Sequence, residues 1–295
     1  MTFNMNTFKA GLLSIVLAAT ASLMPAGAAS AASKGKILVV MSSAQELELR
    51  DGKQYKTGYF LNELAVPLRM LVEAGYTPVF ANPKGDTPQM DSNSNHKNYF
   101  GGNDAKREDA LSFVAKFDSL KKPKTLASVA SEGASGYAAV FIPGGHAPMQ
   151  DLLKEQSLGT ILKSFHAAAK PTAIICHGPI VLLAALPQPA KFQSALIAGD
   201  AAAVKSLSQG WPYAGYKVSV FATSEEKQIE GAAQLGGQVL FYPDAALAAV
   251  GATIQNGADW QPNVVVDREL ITGQQPFSDD ALGKALLAKL AAQAK

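Results

Sequence analysis

Cys176 is the one cysteine among 295 residues, and it lies in Lys170-Pro-Thr-Ala-Ile-Ile-Cys-His-Gly-Pro179. An apolar, β-rich run stops at a thiol, an imidazole, a glycine and a proline. This order predicts a buried strand that turns sharply into a helix, with Cys176 on the turn. Pro179 suits the first helical turn, where its missing N–H costs nothing. A thiol so placed meets the positive end of the helix dipole, which favours the thiolate that attacks electrophiles. A lone cysteine can instead be a small buried hydrophobe; the attached His177-Gly178-Pro179 favours the reactive reading.

A thiol nucleophile needs a base, a group to orient that base, and donors for developing negative charge. The chain holds four histidines, at 96, 146, 166 and 177, and none follows His177. That order excludes the triad of class I glutamine amidotransferases and that of papain-like enzymes, both of which place the histidine well after the cysteine. No H-x-x-x-H or C-x-x-C spacing is present, so a metal site is not expected. Gly144-Gly145-His146 predicts a tight turn at a strand end, and its N–H groups with that of His177 can form an oxyanion hole, Gly145 being the favoured donor. His146 could line the pocket or bond nearby backbone. His96 and His166 are read as surface or helix residues.

The elements that position these groups alternate. Lys36-Ile-Leu-Val-Val-Met-Ser-Ser43 reads as a central parallel strand. Leu61, Leu64, Leu68, Leu71 and Val72 recur at helical spacing up to a stop at Gly75. Further strands are predicted at 77–81, 137–143, 172–175, 217–222 and 264–268. Helices are predicted over 149–168, over 180–185 after the elbow, from Ser224, and over 279–294 with Leu282, Leu286, Leu287 and Leu290 inward. This is an α/β, doubly wound, flavodoxin-like parallel sheet with helices on both faces, whose ligands bind beyond the carboxyl ends of the strands. The polar stretch 83–135 is too long for an ordinary connection and reads as an inserted cap lining the substrate site.

Residues 1–31 read as a secretory signal: Lys9, the apolar run from Gly11, and Ala-x-Ala sites ending at Ala28 or Ala31. The expected mature protein, residues 35–295, is one exported domain, periplasmic in a Gram-negative host. A single cysteine cannot form an internal disulfide, so the core must hold the fold; 48% hydrophobic residues supply it. Net charge is +2 with 17% charged residues and no basic block, so nothing points to nucleic acid.

Four stretches resemble the ThiJ/PfpI superfamily, within its chaperone and glutathione-independent glyoxalase (glyoxalase III) branch: Thr57-Gly-Tyr-Phe-Leu-Asn-Glu-Leu-Ala-Val-Pro67, Phe141-Ile-Pro-Gly-Gly-His146, Ile175-Cys-His-Gly-Pro179, and Val266-Asp-Arg-Glu-Leu-Ile-Thr-Gly-Gln-Gln-Pro276. The resemblance implies Cys176 as nucleophile and His177 as its proton-transfer partner. It implies that Glu63 hydrogen-bonds the sulfur and is partly protonated through burial. Periodicity alone makes Glu63 a solvated glutamate, since it falls off the leucine stripe. The acid that orients His177 is implied near the end of the strand after the elbow helix, where Glu226 matches better than Glu225. Thr223-x-x-Glu226 also reads as a capping box. The family commonly has glycine where this chain has Ala147, which would narrow the pocket mouth. The implied activity is conversion of methylglyoxal to lactate without cofactor or metal. The alternatives are a holdase for unfolded client proteins and a cysteine-dependent hydrolase or deglycase. A homodimer is a further expectation.

Overall fold

The computed structural model describes residues 33–231 and 234–293. The expected signal segment lies outside the described residues. In chain order the elements are β1 (Lys36–Val40), β2 (Glu46–Glu48), β3 (Gln54–Lys56), α1 (Leu61–Glu73), β4 (Thr77–Asn82), α2 (Asp104–Ala115), α3 (Asp118–Lys121), β5 (Lys124–Thr125), α4 (Leu126–Glu132) and β6 (Ala139–Ile142). They continue with α5 (Gln156–Ala167), β7 (Thr172–Ile175), α6 (Pro189–Ala198), α7 (Ala201–Leu207), β8 (Lys217–Val218), α8 (Thr223–Glu230), α9 (Pro243–Val250), β9 (Thr253–Ile254), β10 (Val264–Asp267), β11 (Leu270–Gly273) and α10 (Asp279–Gln293). Seven strands form the central sheet in the order β10-β11-β7-β6-β1-β4-β5. All its pairings are parallel except β10 with β11.

Side chains alternate across each strand, so successive residues feed opposite cores. Ile37 and Val39 of β1 pack with Leu61, Leu64 and Leu68 of α1 and Leu282 and Leu286 of α10. Leu38 and Val40 face the other side, with Leu158, Leu162 and Phe165 of α5 and the apolar segment after Cys176. Helices therefore cover both faces of a doubly wound, flavodoxin-like sheet, as the alternation of patterns predicts. Val72 and Leu287, expected in the buried stripes, are only partly covered. Among the described residues no single helix is long and apolar enough to cross a membrane.

Three local expectations are corrected. The helix expected over 149–168 is α5 alone, preceded by two 3-10 turns. Asp151 breaks it by turning its carboxylate to Ser42 Oγ and to the N–H groups of Ser43 and Ala44. The strand expected over 217–222 pairs only at β8. Beyond it the donors leave the ladder: Ser219 N–H bonds Thr272 Oγ1, Val220 N–H bonds Asn256 Oδ1, and Phe221 N–H bonds the Cys176 carbonyl. The late strand 264–268 is half of a hairpin whose second strand, β11, pairs with β7. Its turn lacks glycine or asparagine; Arg268 takes φ 54 there, its guanidinium 3.2 Å from the centre of the Tyr216 ring. The 83–135 segment divides: β5 extends the sheet, α2 and α4 pack on its two faces, and only the stretch holding Asn93 and Tyr99 reaches the site.

Candidate active site

The parallel strands end on one side of the sheet, and β6, β7 and α1 meet there. Cys176 follows β7 directly and adopts φ 62, a left-handed conformation that costs about 1 kcal/mol or more in a non-glycine residue. Both its backbone groups are fixed: its N–H bonds Gly273 O at 2.9 Å and its carbonyl accepts from Phe221 N–H at 3.0 Å. The elbow is therefore present as the sequence predicts, and it turns the thiol away from the strand direction. A 3-10 helix, Gly178–Ala185, follows.

The side chains then connect. Cys176 Sγ lies 3.3 Å from His177 Nδ1, and His177 Nε2 lies 2.6 Å from Glu226 Oε2. A carboxylate can only accept, so Nε2 carries the proton and leaves Nδ1 free to take one from sulfur. Phe221 stacks on the His177 ring at 4.2 Å and fixes its plane. Glu226 stands in the first turn of α8, but it does not make the expected capping box with Thr223. Ala222 is the N-cap, Glu225 bonds back to its N–H, and Thr223 bonds Asp244 instead. Glu225 also accepts from Trp260 N–H at 2.7 Å and so holds the loop that carries Trp260 into the cavity wall. The two neighbouring glutamates thus have separate tasks.

Glu63 is fully buried. It lies in the first turn of α1, and that turn abuts the carboxyl edge of the sheet, where the Gly144 loop covers it; the leucine stripe reports only the later turns. Glu63 Oε2 accepts from Gly144 N–H at 3.0 Å, while Oε1 has no fully formed hydrogen bond. Burial raises its pKa to about 8, against the opposing contact with Cys176. At neutral pH it is an un-ionised acid beside Cys176. Gly144 is what permits this approach: a Cβ there would lie 2.5 Å from Glu63 Oε2 and 2.6 Å from Cys176 Cβ. Gly145, at φ 87, sits against the Gly58 carbonyl. The N–H groups of Gly145 and His177 converge on the sulfur, where an oxyanion would develop.

A resting thiolate, expected from the helix dipole, is corrected. Burial above all, and Glu63 once it ionises, push the Cys176 thiol well above its usual value, and the two N–H donors do not offset this. The following 3-10 helix is too short to supply a strong dipole. Burial and the neighbouring His146 hold His177 down to about 4, so the resting pair is thiol and neutral imidazole.

His146 belongs to the same network, which sequence spacing does not reveal. Its Nε2 lies 2.8 Å from Glu226 Oε1, and its ring packs 3.8 Å from that of His177. His146, His177 and Glu226 bring three donor atoms within 4.8 Å of one another. Each ring's Nε2 bonds one oxygen of Glu226, so these three side chains form a hydrogen-bonded relay. Ala147 is buried in a 3-10 turn and does not form the cavity mouth. Aromatic groups that the sequence reading passed over wall the cavity: Tyr55, Tyr99, Phe221 and Trp260. Its volume is ≈ 40 Å³, room for a few water-sized groups. His96 caps an exposed turn, and His166 bonds Glu269 and Tyr216 away from this cluster.

A model of ThiJ/PfpI family-like proteins matches residues 55–229, a span that contains every residue of this cluster. The chain belongs to the ThiJ/PfpI family. The protein/nucleic acid deglycase HchA of Escherichia coli O157:H7 is 29% identical over 254 residues, covering 85% of this chain and 79% of that relative. Its name includes nucleic acid, which the charge pattern of this chain does not suggest. Solved structures of glyoxalase III from Candida albicans (TM-score 0.66, 20% identity, 86% of this chain and 97% of that one) and of Francisella tularensis Rapid Encystment Protein 24 KDa (TM-score 0.65, 20% identity, 87% and 99%) share the fold.

Proposed function

We propose that this ThiJ/PfpI protein is a cofactor-free cysteine enzyme that converts methylglyoxal and water to lactate. The observation that carries the reading is the unbroken line from Cys176 Sγ through His177 to Glu226, with the Glu63 carboxyl beside the sulfur. Sγ adds to the aldehyde carbon C1 while its proton passes through His177 Nδ1 to the aldehyde oxygen, giving a hemithioacetal. His177 then removes the C1 hydrogen as a proton, and the electron pair forms an enediol across C1 and C2. Protonation at C2 gives a thioester, and water attacks it to release lactate and restore the thiol. The N–H groups of Gly145 and His177 stabilise the oxyanion in the first and last steps. Because the resting pair is neutral, proton transfer accompanies attack. The small cavity suits a three-carbon substrate.

A second reading is deglycation, favoured by the likeness to HchA. The cavity shares Asn93, Tyr99, Gln234 and Trp260 with an open groove of ≈ 600 Å³, through which the remainder of a glycated molecule could leave. The test is turnover of free methylglyoxal against release of free amine from an N-acetyl-lysine adduct. Lactate formation faster than amine release supports the glyoxalase, and the reverse order supports the deglycase. A holdase activity would survive Cys176→Ser, whereas either enzyme activity would vanish. Export, read from residues 1–31, and homodimer formation are part of the proposal.

A further inference from the structure

We infer, on the glyoxalase reading above, that His146 is a second proton-carrying group of the site, serving the oxygens on C2 and C1 while His177 serves sulfur and carbon. The isomerisation itself requires two proton movements. As C1 loses its hydrogen, the C2 oxygen must gain a proton; as C2 is protonated, the C1 hydroxyl must lose one. His177 cannot accompany both at once. His146 lines the cavity beside Cys176 and shares the Glu226 carboxylate with His177, one oxygen to each ring at 2.8 and 2.6 Å. Both Nε2 atoms therefore carry hydrogens, and each ring presents Nδ1 for chemistry. His146 makes no other side-chain hydrogen bond among the described residues.

One carboxylate neutralises one imidazolium, and two imidazolium rings at 3.8 Å would repel. The site thus holds a single extra proton, and its surroundings decide where. His146 meets Glu226 of α8 directly, the charges of Asp91 and Glu230, the neutral ring of Tyr55 of β3, and His177. His177 meets Cys176, Glu226, His146 and the Phe221 ring. The additional carboxylates lie on the His146 side. Burial lowers its pKa, but Glu226, with Asp91 and Glu230 adding to it, outweighs burial and raises it above the ordinary imidazole value. At rest the relay is imidazolium, carboxylate, neutral imidazole. During the first transfer Nδ1–H of His146 protonates the C2 oxygen while Nδ1 of His177 takes the C1 proton. The positive charge crosses Glu226 with no change in total. In the second transfer Nδ1–H of His177 protonates carbon C2 while Nδ1 of His146 takes the proton of the C1 hydroxyl, and the site returns to its resting form.

Two measurements test this. Nitrogen-15 NMR of histidine-labelled protein, with four rings to assign, should show an imidazolium with both nitrogens protonated at pH 7 that is lost in His146→Asn and in His146→Gln. The His177 signal should be a neutral Nε2–H ring. A neutral His146 at pH 7 overturns the inference whether or not the variant folds. In His146→Asn and His146→Gln, lactate formation should fall at least about 10²-fold, the range of general acid–base catalysis. The rate of Cys176 alkylation by iodoacetamide should stay within about threefold of wild type. Turnover within threefold of wild type, or parallel loss of alkylation and turnover, overturns it. If wild type makes no lactate, the glyoxalase reading fails separately, and with it the transfer role; the NMR result still decides the charge on His146.

Discussion

Replacing Glu63 by glutamine removes one titration from the molecule and little else. Gln at this position can still accept from Gly144 N–H through its carbonyl, as the carboxyl does. The Glu63 pKa moves from 4.5 in the unfolded chain to about 8 in the fold, chiefly through burial. At 1.36 kcal/mol per unit this displacement corresponds to roughly 5 kcal/mol. A raised folded pKa stabilises fully below the unfolded value and loses that contribution as pH rises through the folded one. Wild type should therefore lose stability between pH 4.5 and about 8 relative to Glu63→Gln, and the difference should level off above that. Asp279, which burial raises to about 6, titrates in both proteins and cancels in the comparison. Urea denaturation across this range measures the difference. Parallel curves would mean that Glu63 is ionised at neutral pH, and the acid assigned to it would be withdrawn. The alkaline limb of kcat near pH 8 should disappear in the same variant.

Glu226→Gln leaves one carbonyl for two rings, and its amide N–H₂ drives one imidazole to the wrong tautomer; kcat should fall ~10³–10⁴-fold with a native circular dichroism spectrum. Gly144→Ala inserts a methyl group between Glu63 and Cys176. It should cost about 1–3 kcal/mol in Tm-derived stability and separate the nucleophile from the Glu63 acid, abolishing measurable turnover. Glu225→Gln weakens the bonds to Ala222 and Trp260 without touching His177. Steady-state kinetics should show KM rising several-fold with kcat within about threefold, and Trp260 fluorescence should shift.

The reactive turn was legible because its chemistry is local: six residues around Cys176 specify strand, elbow and helix start. The leucine stripe likewise identified α1 and the face it buries. Glu63 was not legible from that stripe, because what covers it is the Gly144 loop, more than 80 residues away in sequence. His146 and Glu226 are also 80 residues apart, and only the sheet order brings them together. The choice between Glu225 and Glu226 turns on which carboxylate faces inward at an N-terminus whose cap is one residue earlier than the Thr223 motif suggests. β11 was missed because Arg268 adopts a turn conformation usually given to glycine or asparagine, held by its stack on Tyr216.

The most direct test is to run methylglyoxal turnover in D₂O with wild type and Cys176→Ala side by side, and to examine the lactate by NMR. The enediol route through Cys176 predicts lactate from wild type alone, with solvent deuterium at C2 in those turnovers in which the proton held by His177 exchanges before it is returned. Equal lactate from the two proteins would remove the sulfur from the chemistry and contradict the account.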